Sequence, residues 1–374
     1  MVPGRSTLNV LTLNSGSSSL KYGVYATDAT ATRRITSWND RRTPDLGAAS
    51  VAASAAAADA IAGSVPIDAV GYRVVFGGPD DRPALVTAAL IERLTQIASY
   101  DPLHMPGALA GIIAARNAFP SVPHVVCFDT MFFRDMPQIA QQIAIPTDED
   151  PYLRRYGFHG LSYEYLRTAI GAALPGRSIF AHLGSGVSLA ALRDGKPLET
   201  TMGFSPMGGV IMATRPGDID PGLLLYLIEK RGLDIASLRS MLEERSGIAA
   251  ISGGEGNVQT LIERRGDERA TLAVESFVRS VAKAVGGLAT VLEGLDLLVF
   301  TGGIGEHLAP LRAAITRPLG HLGVEIDDAL NAAGSGTISA ASSKVRVRVV
   351  PTDENAVIAR LSYDLLCGSA DGRH

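Results

Sequence analysis

Three glycine-rich turns draw attention by residue type and spacing: 14–19 (NSGSSS), 184–186 (GSG) and 302–305 (GGIG), each following a short strand-like run. Without a β-carbon the backbone approaches a phosphate closely, and successive N–H groups make an anion nest. One such turn is weak evidence. Three in one chain, with Lys21 and two arginine-bearing segments, favour a nucleotide. None is a Walker A loop, because no Gly-Lys-Ser/Thr follows. Gly303-x-Gly305 lacks the third glycine of a dinucleotide fingerprint, which argues against NAD.

Two arginines lie in apolar or glycine-rich surroundings, Arg73 in GYRVVFGG and Arg215 in MATRPGDIDPG. An unpaired buried guanidinium is costly. Each therefore needs either a structural partner, such as Asp129 for Arg73, or a ligand carboxylate or phosphate held bidentately. His159 and His182 sit beside glycines; taken alone, they read as satisfied core or turn histidines. Asp129 follows an apolar run, a common place for a catalytic or arginine-orienting carboxylate. Asn14 and Glu354 fall at element ends, where they could ligate Mg²⁺ directly or through water. The histidines show no HxxxH spacing, no paired carboxylates suggest glycoside hydrolysis, and residues 17–19 make no nucleophile elbow.

The elements that must carry these residues follow from periodicity. Runs 9–13 and 21–25 predict strands around the first turn, and 69–76 predicts a buried strand. The stretch before Pro66 is weakly patterned and contains an alanine-rich run, 48–62, read as a surface helix. Helices are expected at 89–100 and 107–118 and a strand at 124–128. Residues 137–151, with three prolines and an acidic run, are the candidate domain boundary. The pattern then restarts: strands at 178–183 and 187–192 flank the second turn, and Asp194-Gly195 signals a hairpin. Strand, Gly/Ser turn, strand thus occurs twice, which suggests a duplicated domain. Helices are expected at 221–231, 235–245 and 269–292, strands at 295–300 and 345–350, and a C-terminal helix capped by Thr352 or Asp353.

The 374 residues suggest two domains. Lys plus Arg number 34 and Asp plus Glu 38, a formal charge of −4, which argues against a nucleic-acid binder using a basic surface. Two cysteines, Cys127 and Cys367, exclude a disulfide framework. No targeting or membrane-spanning run is evident, so a cytoplasmic protein is expected, with no membrane partner.

In combination, the segments NSGSSSLK (14–21), GYRVVFGG (71–78), CFDTMF (127–132), RYGFHG (155–160), HLGSG (182–186), TMGFSPMGG (201–209), TRPGDIDPG (214–222), FTGGIGE (300–306) and PTDEN (351–355) resemble the acetate kinase family, in the same order and across nearly the whole chain. The resemblance implies an α/β fold of two duplicated actin-like ATPase (ribonuclease H-like) domains with a cleft between them. The expected domains are 1–149 plus 356–374, closed by the C-terminal helix, and 150–355, carrying most of the nucleotide site. It implies transfer of the ATP γ-phosphoryl group to acetate, reversibly, with Mg²⁺ or in its place Mn²⁺; a homodimer is expected.

By resemblance, Asn14 and Glu354 hold the metal, and Ser17, Ser19 and Lys21 approach the phosphates. Arg73 and Arg215 grip the carboxylate and the phosphoryl group, His159 stabilises that group, and Asp129 is the family's catalytic aspartate. Acetate at pH 7 is already ionised and needs no base, so Asp129 is read as orienting an arginine. Val75, Leu103, Phe158 and Pro206 match an apolar pocket for the acetate methyl. His182, Leu183, Gly184, Ser185 and Gly186, with Gly302, Gly303, Ile304, Gly305 and Glu306, form nucleotide loops, and Asn257, Val258 and Gln259 occupy the adenosine segment. The chain departs from the family pattern at Phe76, Phe133 and Tyr163, where histidine is common, at Ser185 in place of Asn, and at Asn257-Val258-Gln259 in place of Asp-x-Arg. Rival readings are a kinase for propionate or another short carboxylate, a sugar kinase, and a non-catalytic nucleotide-binding regulator.

Overall fold

The structure, a computed structural model, describes residues 6–15, 20–40, 65–78, 82–146 and 150–368. Ser17 and Ser19, the 48–62 run and part of the acidic run lie outside the described residues. The chain forms two compact units, 1–134 with 160–165 and 353–374, and 135–159 with 166–352. The expected boundary at 149/150 falls inside a segment of the second unit, and residues 353–355 fall in the first.

The first unit is built on a six-stranded sheet: β1 Thr7–Ser15, β2 Leu20–Asp28, β3 Thr32–Asp40, β4 Ala69–Val74, β5 Ala84–Leu85 and β6 His124–Phe128, in the order β3-β2-β1-β4-β6-β5. β1, β2 and β3 make an antiparallel meander, while β1, β4 and β6 run parallel. The second sheet comprises β7 Arg177–Leu183, β8 Val187–Arg193, β9 Lys196–Thr200, β10 Leu297–Thr301, β11 Gly336–Thr337 and β12 Arg346–Val349. Its order, β11-β12-β10-β7-β8-β9, repeats the meander and the parallel set. The duplicated hairpin of the sequence is therefore the start of a duplicated sheet.

Parallel strands buried on both faces read as continuous apolar runs, and β6 (HVVCF) and β10 (LLVFT) are buried at every residue. The long helix Glu268–Val291 buries Ala273, Phe277, Val281, Val285 and Leu288 along one stripe, and Asp267 caps it by accepting from the N–H groups of Arg269 and Ala270. The C-terminal helix Glu354–Cys367 packs on the first sheet through Val357, Ile358, Ala359, Tyr363 and Leu366. It crosses β4 at Gly71, where an added β-carbon would stand 2.6 Å from Ile358 Cγ2. Only glycine lets the helix lie so close.

Several elements differ from expectation. β3 was not anticipated, because TRRITSWND is an edge strand with no apolar alternation. Residues 97–100 tighten into a 3-10 turn after the helix Ala88–Gln96. A further helix, Gly160–Ile170, begins directly after His159. Among the described residues no helix is long and apolar enough to cross a membrane.

Candidate active site

In open α/β sheets, ligand sites form at the carboxyl ends of the parallel strands. In the first unit those ends carry Asn14 (β1), Arg73 (β4) and Asp129 (just after β6). The structure joins them. Arg73 Nε and Nη2 both donate to Asp129 Oδ2, at 2.9 and 2.5 Å, and Nη1 donates to the Ser15 carbonyl at 2.8 Å. Asn14 Nδ2 donates to Glu354 Oε2 at 2.7 Å, across 340 positions of chain. Burial works against the Arg73 charge, but Asp129 and then Glu354 outweigh it and hold the guanidinium above its ordinary value. Burial likewise pushes the Asp129 carboxyl up, against the pull of Arg73. Its second oxygen, Oδ1, is buried without a hydrogen-bond partner. Arg73 thus has the structural partner its sequence context demanded, and its Nη1 also reaches Asn14 Oδ1 at 3.4 Å.

Sequence reasoning missed two supports. Tyr25, buried on β2, donates its hydroxyl to Asp353 at 2.9 Å, and Asp353 in turn accepts from the Ala356 N–H at 3.0 Å, capping the C-terminal helix. The first residue of that helix is Glu354, so this pair fixes where its carboxylate starts. His104 Nδ1 meets Asp101 Oδ1 at 2.9 Å, and the Asp101 carboxylate bears on the Arg73 charge. Spacing i,i+3 at a helix start is the only signal that marked this pair.

Val75 is buried, whereas Leu103 is 37% exposed. Lys21 is exposed on β2. Phe76, Phe133 and Tyr163, where the family commonly has histidine, are buried aromatics. Tyr163 lies 5.8 Å from Phe133 edge-on and Phe76 lies 5.9 Å from Tyr100. They fill these positions with apolar packing rather than titratable rings.

In the second unit, His159 takes the left-handed conformation, φ 60°, ψ 26°. Few side chains do so without a compensating role. Its ring stacks on His182 with centroids 4.2 Å apart and 17° between planes, and its Nδ1 lies 2.8 Å from Ser188 Oγ. An added β-carbon at Gly186 would stand 3.1 Å from His159 Nε2 and 3.8 Å from Arg215 Nη1. The bare α-carbon of Gly186 therefore lets both groups come close to this turn. Arg215 is buried, with Nη1 donating to the Pro206 carbonyl at 2.9 Å. Pro206 and Phe158 are themselves buried. His182, Leu183, Gly184, Ser185 and Gly186 form the end of β7 and its turn, closed by the Gly184 N–H donating to the Gly186 carbonyl at 3.0 Å.

The third glycine run is not a loop. Gly302, Gly303, Ile304, Gly305 and Glu306 form most of the helix Gly302–His307, because the chain turns helical as soon as β10 ends. Glu306 Oε1 accepts from the Gly302 N–H at 2.9 Å, so this carboxylate caps its own helix. Arg312, buried, donates through Nη1 to the Gly305 and Glu306 carbonyls at 2.8 and 2.9 Å and clamps the other end. Burial pulls its pKa down, and the carbonyl end of a helix is where a cation is best tolerated. In the adenosine segment Val258 is buried, while Asn257 and Gln259 are exposed. Asn257 Oδ1 accepts from the Gln259 N–H at 3.0 Å, capping the helix Val258–Glu263. Its amide oxygen is thereby used, and the NH₂ remains for a ligand.

Two sheets of one strand order, each an antiparallel meander beside a parallel set, make the frame of an actin-like ATPase fold. The sequence matches the acetokinase family over residues 47–360. It is 43% identical over 314 residues to the acetate kinase of Nitrobacter hamburgensis, covering 82% of this chain and 78% of that one. It is 37% identical over 369 residues to the acetate kinase of Methylocella silvestris, covering 95% and 86%. Among solved structures, Porphyromonas gingivalis acetate kinase superposes with a TM-score of 0.79 at 32% identity, covering 94% of this chain and 98% of that one. A propionate kinase from Francisella tularensis superposes at 0.84 with 30% identity, covering 95% and 98%. The chain belongs to the acetokinase family, whose members are phosphotransferases with a carboxyl group as acceptor.

Proposed function

We propose that the chain transfers the γ-phosphoryl group of ATP to acetate, reversibly, giving acetyl phosphate and ADP. The observation that carries this reading is the convergence of His159 Nε2 and Arg215 Nη1 on the Gly186 turn. Phosphoryl transfer passes through a loose, charge-spread transition state, so catalysis is positioning and charge neutralisation rather than covalent help. Arg215 supplies a fixed positive charge and His159 an N–H donor for the phosphoryl oxygens. Arg73, held by Asp129, presents its planar fork to the acceptor carboxylate. The acceptor is an anion at neutral pH, so no side chain need remove a proton, and Asp129 serves by orienting Arg73.

Among the described residues no group of three or more His, Cys, Asp or Glu could hold a metal. The pair Asn14 and Glu354 offers one carboxylate and one amide oxygen. That suits Mg²⁺, which keeps several waters and binds through one or two carboxylates plus substrate phosphates. When bound there, Mg²⁺ or Mn²⁺ would neutralise phosphate charge. Asn14 and Glu354 hold each other in place at 2.7 Å.

A second acceptor, propionate, is favoured by one observation, the likeness to the Francisella tularensis propionate kinase at 30% identity. One methylene changes discrimination by only about 10–200-fold. A hydroxamate assay for acyl phosphate, run with acetate, propionate and butyrate against ATP, GTP and pyrophosphate, tests both readings. Acetyl phosphate formed from ATP supports the first. A higher kcat/KM for propionate establishes the second, and no acyl phosphate with any pair leaves a non-catalytic nucleotide binder.

We further propose a homodimer, supported by the helix Pro221–Arg231, which buries none of its apolar side chains. Leu225 and Tyr226 are 59% and 51% exposed, with Ile235 at 63% just beyond. Such a patch is costly to leave in water. Sedimentation of the wild type and of Leu225→Glu tests this; a monomeric wild type refutes it. Dependence on ATP supports a cytoplasmic location.

A further inference from the structure

We propose that Ser188 is a positioning residue: its hydroxyl donates to Nδ1 of His159 and holds that ring with its proton on Nε2. The inference rests on the assignment of His159 to the transferring phosphoryl group. Ser188 is fully buried on β8, directly across the strand pair from His182. One cross-strand pair therefore grips the imidazole twice. His182 stacks on its face at 4.2 Å, and Ser188 Oγ meets Nδ1 at 2.8 Å. The left-handed backbone at His159, φ 60°, is what aims the ring at them.

A neutral imidazole has one N–H, and its second nitrogen can only accept. Arg215 Nη1 and the His182 ring both border this imidazole. With Nδ1 accepting from Ser188, the proton resides on Nε2, the atom that lies at the Gly186 turn. A phosphoryl oxygen arriving there meets a donor. The other tautomer would present a lone pair to an anion. The wrong tautomer of a catalytic histidine can cost about 10⁴ in turnover elsewhere. Losing only the hydroxyl removes one hold on the tautomer, so a smaller effect is expected.

Ser188→Ala should lower kcat about 10-fold, the scale of one hydrogen bond, with KM for acetate and ATP within about two-fold of wild type. Ser188→Thr retains a hydroxyl and should recover most of the loss. Because a buried threonine could disturb packing, the wild type supplies an independent measurement. ¹⁵N NMR of histidine-labelled protein, with His159 assigned by His159→Gln, reads the tautomer directly. A proton on Nε2 in wild type and a mixture in Ser188→Ala support the proposal. A proton on Nδ1 in wild type overturns it, as does a Ser188→Ala enzyme with unchanged kcat. Wild-type turnover in His159→Ala would overturn the phosphoryl assignment itself. A large loss in His159→Ala with an unaffected Ser188→Ala overturns only the role of Ser188.

Discussion

The two sheets share one strand order and direction, yet their carboxyl ends are finished differently. In the first, β1, β4 and β6 end in charged or amide side chains that lock one another: Asn14 to Glu354, Arg73 to Asp129. In the second, β7 and β10 are each followed at once by glycine, and the polar groups arrive from elsewhere, His159 from before a helix and Arg215 from a long connection. The first arginine is fixed by a carboxylate, while the second has a backbone carbonyl among its partners. A duplicated frame therefore supports two kinds of site. One is a rigid charge lattice, and the other is open backbone with donors placed around it.

The arginines separate these kinds most sharply. Arg73→Ala and Arg215→Ala should each lower turnover by about 10³–10⁵, the value of a charge clamp in phosphoryl transfer. Their stabilities should diverge. Arg73→Ala strands Asp129 as a buried, unpaired charge, at a cost of about 3–5 kcal/mol, whereas Arg215→Ala removes a donor from the neutral Pro206 carbonyl. Denaturant unfolding beside the hydroxamate assay checks this, and equal destabilisation would erase the distinction. Next in size, Gly186→Ala should reduce kcat about 100-fold by displacing His159 and Arg215, since about 1 Å of misplacement costs that much. The fold should be unaffected, as seen by circular dichroism. Glu354→Ala, in the first lattice, should raise the Mg²⁺ concentration for half-maximal rate about 10–100-fold, with a matching loss of Mn²⁺ binding by paramagnetic resonance. The smallest change belongs to the second unit: Gln259→Arg should lower KM for ATP several-fold with kcat unchanged, because it adds contact made equally in substrate and transition state. An unaltered KM would place the adenosine elsewhere.

Strand-borne features were legible in the sequence. β6 is buried at every residue and was readable to its last position, and Asp194-Gly195 forms its turn with φ of 52° and 76°. The Arg73–Asp129 pair could be guessed because a guanidinium in an apolar strand requires a partner. β3 could not, since its exposed alternation resembles a loop until β2 supplies its hydrogen bonds. Nor could Ser188 or Tyr25. Both look like ordinary strand residues, and only cross-strand register and the return of the last helix give them partners. The 302–306 run was read as a loop because glycine weakens helical propensity, yet Glu306 and Arg312 cap both ends and override it.

The return of Glu354–Cys367 to the first sheet also sets a schedule for synthesis. Asn14 must wait for Glu354, 340 positions later, and Gly71 lacks its covering helix for almost as long. At about 5–20 residues per second on the ribosome, that is an interval of roughly 20–70 s. Meanwhile Val10, Ala69, Val125 and Cys127, which end up against this helix, have no final cover. The second unit, 135–159 with 166–352, can complete its core inside that interval. The first unit is the earlier to be made and the later to be finished, so a nascent chain halted before the last helix would present an apolar sheet to chaperones.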